Sequence, residues 1–330
     1  MTRTRANPDR PGLLLALSGG GVRGFAHMGA LRALRDAGVP VAGVAGSSAG
    51  SYVAAAYATN LPLDVEPMLN HVIDRKLADL FMQSGNRLLR LARIQARLFR
   101  ALRNIAIDDA LRLREGLLEL FGEVRIEELD VPLALNAADL NTGEIVVLRE
   151  GPLVDAILAS SAIPGVFPPV PWGGRLLVDG DIVEKVPVTA ARSLGPGPVL
   201  GLDASNPVRL HRPVNSFEVM LMASEASIRR LKRLALERCD FVLSLVPEKP
   251  VDTFDYSQAR ALFKMGYERA EAAMPEIEAL LAPPRRGLFG WLQNVTQHRK
   301  RQRHESKPKT VGHETRPERQ DREQPPDERQ

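Results

Sequence analysis

The pentapeptide Gly46-Ser47-Ser48-Ala49-Gly50 joins an apolar run at 41–45 to a small-residue run that begins at Tyr52. A strand that enters a helix through a sharp turn lifts the middle side chain clear of the backbone, which would leave Ser48 exposed at the carboxyl end of a sheet. Gly46 and Gly50 suit such a turn, because a side chain at either position would meet neighbouring backbone. A serine so placed becomes a nucleophile once a base accepts its proton. The same five residues also read as an ordinary strand-to-helix connection with small residues for close packing.

A second loop, Ser18-Gly19-Gly20-Gly21-Val22-Arg23-Gly24, follows the apolar run 13–17 and precedes a helical pattern. Gly19, Gly21 and Gly24 match the dinucleotide fingerprint literally, but that reading needs an acidic residue about 20 positions on, and 40–59 contains none. No Gly-Lys-Ser/Thr follows, so a P-loop fails too. Consecutive glycines ahead of a helix leave backbone N–H groups facing one concavity, where they suit the oxyanion of an acyl intermediate. Arg23 either adds charge there or braces the loop.

Ser48 needs a base. His298, His304 and His313 fall in the C-terminal tail, His71 in a basic segment and His211 beside a proline. His27 sits in the first turns of the helix after the glycine loop and reads as a packed side chain. None occupies a strand-end position typical of a triad histidine. Asp179, in Val178-Asp179-Gly180-Asp181, ends a strand-like run and offers a carboxylate instead. An ordinary aspartate, with a pKa of about 3.9, is a weak base for a hydroxyl, and burial or a second carboxylate would strengthen it. Asp179-Gly180 is also a common turn dipeptide.

The elements that would position these residues alternate. Strand-like runs lie at 13–17, 41–45, 133–138, 145–148, 176–178, 199–203 and 241–246, and helical patterns at 25–37, 50–58, 153–159, 217–236 and 258–281. Buried strands between helices predict a mainly parallel sheet covered on both faces. Asn141-Thr142-Gly143 predicts a hairpin that makes the sheet mixed. The run 13–17 is too short for a signal h-region and reads as the first strand.

The order Gly-Gly-Gly-x-Arg-Gly, Gly-x-Ser-x-Gly about 25 residues on, then Asp-Gly after a strand resembles the patatin-like phospholipase family. The segments 138–144 and 159–169, the latter Ala-Ser-Ser-Ala-Ile-Pro-Gly-Val-Phe-Pro-Pro, extend the resemblance. It implies an α/β protein, a three-layer α/β/α sandwich with a mainly parallel central sheet. It implies a Ser–Asp dyad of Ser48 and Asp179, an oxyanion hole at Gly19, Gly20, Gly21, Val22, Arg23 and Gly24, and hydrolysis of lipid or fatty-acyl esters without metal or cofactor. Two positions depart from the family's usual pattern. Asp181 stands where Gly or Ala is usual, and Glu184-Lys185 where many bacterial relatives carry asparagines. A carboxylate two residues from Asp179 either couples to its titration or disturbs a packed turn. These departures motivate an alternative, a catalytically weak or inactive regulatory or membrane-binding module.

The remaining sequence bounds the setting. Residues 1–12 read as a disordered arm, 13–282 as the patatin-like domain with 61–119 as a helical basic insertion or lid, and 283–330 as a basic, largely disordered tail. That tail carries twelve Lys and Arg against seven Asp and Glu, an excess larger than the whole chain's +4, so the rest is near neutral and no nucleic-acid partner is expected. Arginines from Arg87 to Arg103 recur every three or four residues, as a solvated helix face or as a contact with anionic membrane; the tail at 285–309 offers a second such contact. Cys239 is the only cysteine, and no run of 18 apolar residues occurs. Both suit a cytoplasmic protein, with the basic segments as its means of peripheral attachment to the inner membrane face.

Overall fold

A computed structural model of the chain describes residues 12–74, 110–208 and 212–282. The arm at 1–11, the arginine-rich stretch from Arg87 to Arg103 and the tail from 283 lie outside the described residues.

An eight-stranded mixed sheet forms the centre. Its strands are β1 (Leu13–Leu17), β2 (Val41–Gly46), β3 (Leu133–Asp139), β4 (Ile145–Leu148), β5 (Val170–Trp172), β6 (Arg175–Asp179), β7 (Val199–Asp203) and β8 (Phe241–Ser244). The path runs β5-β6-β3-β2-β1-β7-β8, with β4 paired to β3. Pairs β1–β2, β1–β7, β2–β3 and β7–β8 are parallel, and those of β3 with β4 and β6, and of β5 with β6, antiparallel. The predicted hairpin joins β3 to β4, with Gly143 at φ +72° in its turn.

The helices are α1 (Gly24–Asp36), α2 (Ala49–Ala58), α3 (Val65–Asp74), α4 (Leu111–Phe121), α5 (Leu153–Ser160), α6 (Asp181–Glu184), α7 (Val188–Ser193), α8 (Ser216–Leu236), α9 (Ala259–Ala272) and α10 (Met274–Ala279). Strand β1 is buried on both faces, and its alternation sorts the layers. Leu13, Leu15 and Leu17 join a core with α1, α2, α5 and α9. Leu14 and Ala16 join a second core with Val188, Ala190 and Ala191 of α7 and Ala235 of α8. The result is a three-layer α/β/α sandwich.

One expected helix divides, and three short elements lie outside the expected runs. The helix expected at 258–281 breaks at Ala273, and Pro275 opens α10, where its missing N–H costs nothing. Strand β5 escaped notice because Pro171 and its proline neighbours argue against a strand. The short helices α6 and α7, which fall outside the expected helical patterns, flank Val186-Pro187.

The register of β3 explains how distant residues meet. Leu135 pairs with Gly46 of β2 and Leu148 of β4, and Ala137 with Val146 of β4 and Asp179 of β6. A strand has two edges, so β2 and β6 share the one opposite β4. They run in opposite directions and end facing each other. The turn after Gly46 and the carboxyl end of Asp179 are therefore forced together.

Candidate active site

Ser48 caps α2 at φ +49°, ψ −124°, a conformation that side-chain-bearing residues rarely adopt. The residues two before and two after it are glycines of necessity. A Cβ at Gly46 would lie 2.4 Å from the Gly50 carbonyl oxygen, and one at Gly50 would lie 2.3 Å from that of Leu17. The turn points the hydroxyl at the end of β6. Ser48 Oγ donates to Asp179 Oδ2 at 2.7 Å. Both side chains are buried.

The segment at 160–162 clasps both turns. The Ser160 carbonyl accepts from the amides of Ser48 at 3.1 Å and Gly180 at 3.2 Å, and the Ala162 carbonyl accepts from Asp179 N–H at 3.0 Å. Asn136, between the two strand ends on β3, donates through Nδ2 to the Glu184 carbonyl at 2.8 Å.

Burial is the main cause that pushes the Asp179 carboxyl up to about 7, and the nearby charge of Asp181 adds to it. The Asp181 N–H, the Ser48 hydroxyl and the Lys185 ammonium oppose the rise. The carboxyl thus titrates in the neutral range, where a proton acceptor for a hydroxyl is most effective.

The glycine loop places its amides unequally. Gly19 N–H donates to the Lys185 carbonyl, Val22 N–H to the Thr253 carbonyl, and Arg23 N–H to the Gly20 carbonyl. Gly24 N–H is also engaged, with the Gly21 and Val22 carbonyls. Among the described residues, only the amides of Gly20 and Gly21 in the run 19–24 lack an acceptor, as does that of Ala49. Arg23 braces the loop: Nε donates to the Ala204 carbonyl at 2.9 Å and Nη1 to that of Val251 at 2.8 Å.

His27 is fully buried, with Nε2 2.8 Å from the Ser18 carbonyl, and burial lowers its pKa to about 4. It is a neutral core side chain. His211, His298, His304 and His313 lie outside the described residues, as does the side chain of His71. No three His, Cys, Asp or Glu side chains converge on a metal position among the described residues. No described helix is long and apolar enough to cross a membrane.

A cavity of about 380 Å³ opens over Ser48 and Asp179. Its wall is mostly apolar, with Phe25, Met28, Val53, Leu117 and Phe254 among the contributors, and Gly20 and Gly21 border it. Apolar walls around a few convergent polar groups are the usual form of a small-molecule site.

The patatin-like phospholipase model matches residues 15–192, more than half of the chain. The chain belongs to the patatin-like phospholipase family. The match encloses the glycine loop, Ser48 and Asp179. An uncharacterized NTE family protein of Mycobacterium tuberculosis is 36% identical over 194 residues, which cover 59% of this chain and 47% of that protein. A patatin-like phospholipase domain-containing protein of Caenorhabditis elegans is 29% identical over 327 residues, 89% of this chain and 22% of that protein. The chain thus spans half or less of these relatives. Among solved structures, VipD from Legionella pneumophila aligns with a TM-score of 0.45 at 16% identity, over 83% of this chain and 68% of that one.

Ser47, Ser160 and Lys185 lie within or beside the patatin-like motifs, but the sequence assigns them no role. The fold does, because Ser160 holds the Ser48 amide and Ser47 and Lys185 hold the Asp181 carboxylate. The Asp181–Lys185 pairing was legible as an i,i+4 spacing of opposite charges.

Proposed function

We propose that this protein is a serine acyl-ester hydrolase acting on lipids, with Ser48 as nucleophile and Asp179 as its base. The observation that carries the proposal is the 2.7 Å hydrogen bond from a strained, positive-φ serine to a buried carboxyl that titrates near neutrality. Asp179 accepts the Ser48 proton as Oγ attacks the ester carbonyl. The amides of Gly20, Gly21 and Ala49 receive the oxyanion, and Asp179 returns its proton to the departing alkoxide. A water then gives its proton to Asp179 and attacks the acyl-enzyme, and Asp179 passes that proton to Ser48 Oγ as the Oγ–acyl bond breaks and the fatty acid leaves.

The apolar cavity supports an acyl chain as the part of the substrate that is held. Asp181 and Glu184, which motivated the non-catalytic alternative, both have partners. Asp181 meets Ser47 and Lys185, and Glu184 accepts from Thr189 and Arg238. That accommodation supports a working site. Membrane attachment through 87–103 and 285–309 remains part of the proposal as the route to lipid substrate.

The test is fatty-acid release from a panel of phospholipids, lysophospholipids and neutral acyl esters. At least one should be hydrolysed without added metal, and longer acyl chains should raise kcat/KM until the cavity is filled. Below the Asp179 pKa the base is protonated, so kcat/KM should fall about tenfold per pH unit beneath an acid limb near pH 7. A panel with no turnover, or a rate that rises as the pH drops, would count against the proposal.

A further inference from the structure

Asp181 and Lys185, at two of the positions that depart from the family pattern, meet in space. Lys185 Nζ bonds Asp181 Oδ2, and the two side chains are only 17% and 16% exposed. The other carboxylate oxygen of Asp181 accepts from Ser47 Oγ at 2.9 Å. The Asp181 backbone N–H donates to Asp179 Oδ1 at 2.8 Å, on the oxygen that Ser48 does not use. The Lys185 carbonyl accepts from the Gly19 amide at 3.2 Å. Gly19 stands so close that a Cβ there would come within 2.1 Å of the Asp181 carboxylate. One ion pair therefore touches the residue before Ser48, the carboxyl partner of Ser48 and the first glycine of the loop.

The charge balance follows the same geometry. The titratable and charged groups facing this turn are Asp181 and Lys185 of the turn itself, Tyr52 of α2, and Arg23 of the glycine loop and His27 of α1, which both face Asp181. Burial keeps Tyr52 neutral. Asp181 opposes ionisation of Asp179 and Lys185 favours it. Either residue alone would unbalance the site.

We propose that the Asp181–Lys185 ion pair is a positioning and charge-balancing device for Asp179, so that this chain requires the two residues together at positions where Gly or Ala and, in many bacterial relatives, asparagine are usual. The inference rests on Ser48 and Asp179 acting as nucleophile and base. Lys185 and Asp181 are positioning residues here, and their side chains bond each other and Ser47 rather than Ser48 Oγ or the Asp179 carboxylate.

The experiment is kcat and KM for a nitrophenyl ester from about pH 5 to about pH 9, across the expected acid limb. Lys185→Met should move the acid limb up and Asp181→Asn should move it down, each by about one pH unit, with KM little changed. Lys185→Arg should keep the wild-type limb. A purely structural pair would lower activity without moving the limb, so limbs that coincide with wild type, or that both move one way, overturn the proposal. If a single variant does not fold, the charge-neutral double Asp181→Gly/Lys185→Asn serves instead. It should keep a limb near that of wild type but lose plateau rate through poorer positioning, and a wild-type plateau would overturn the proposal. Activity that survives Ser48→Ala would fault the nucleophile assignment, a separate outcome.

Discussion

Ser48→Ala should lower acyl-ester hydrolysis by on the order of 10⁴-fold or more, and Asp179→Asn nearly as much, because nucleophile and base act as a unit. The double variant should be no worse than the poorer single. The physical reason is the 2.7 Å bond from Ser48 Oγ to Asp179 Oδ2: without the carboxylate the hydroxyl has no acceptor, and without the hydroxyl the carboxylate has no proton to take. Steady-state rates on one ester check this directly. Thermal unfolding separates chemistry from collapse, and here the sign is informative. The Asp179 carboxyl is raised to about 7 in the folded protein, against about 3.9 in an unfolded chain. The stability of its protonated form is fully present below about pH 4 and is lost as pH rises through about 7. Asp179→Asn removes that buried charge, so at pH well above 7 the inactive variant should melt a few degrees higher than wild type. The gap should close towards pH 4. Such an exchange of stability for activity is common at functional sites.

The second large effect concerns the glycine loop. Gly21→Ala should cost about 10²-fold in kcat with KM little changed, the loss expected when an oxyanion donor is misplaced. Gly21 lies at φ +59°, and a Cβ there would stand 2.3 Å from Thr253 Cγ2 and 2.4 Å from the Thr253 carbonyl oxygen. That carbonyl also holds the Val22 amide at 2.7 Å, so relief of the clash drags the loop and with it the free amides of Gly20 and Gly21. Gly143→Ala is the control. Its φ of +72° imposes similar backbone strain, with nothing near its Cβ position and no role in the cavity. It should cost about 1 kcal/mol in stability and leave kcat unchanged.

Much of this arrangement was legible in the sequence because it is local. The bounds of β1, β4 and β7 fall at the runs read from the sequence, and β1, buried on both faces, is apolar throughout its length. The strained turn at Ser48 announces itself through Gly46 and Gly50, which its geometry makes necessary. What sequence could not supply is non-local. Asp179 approaches Ser48 because β2 and β6 end head to head on one edge of β3, a consequence of register three residues deep in the sheet. The set of amides proposed for the oxyanion is narrower than the loop for a related reason. Six residues of the loop look alike on paper, but Lys185 and Thr253, far along the chain, occupy two of its amides. Asp181 looked like a possible flaw in a packed turn, and its partners Ser47 and Lys185 turn it into a junction.

Reaction with a fluorophosphonate, followed by peptide mapping and by rate against pH, tests the central claim most directly. An activated Ser48 should be the modified residue, its labelling should rise with pH through a single group near 7, and Asp179→Asn should slow it by orders of magnitude. Labelling at another residue, or a Ser48 that reacts equally fast without the Asp179 carboxylate, would contradict the account.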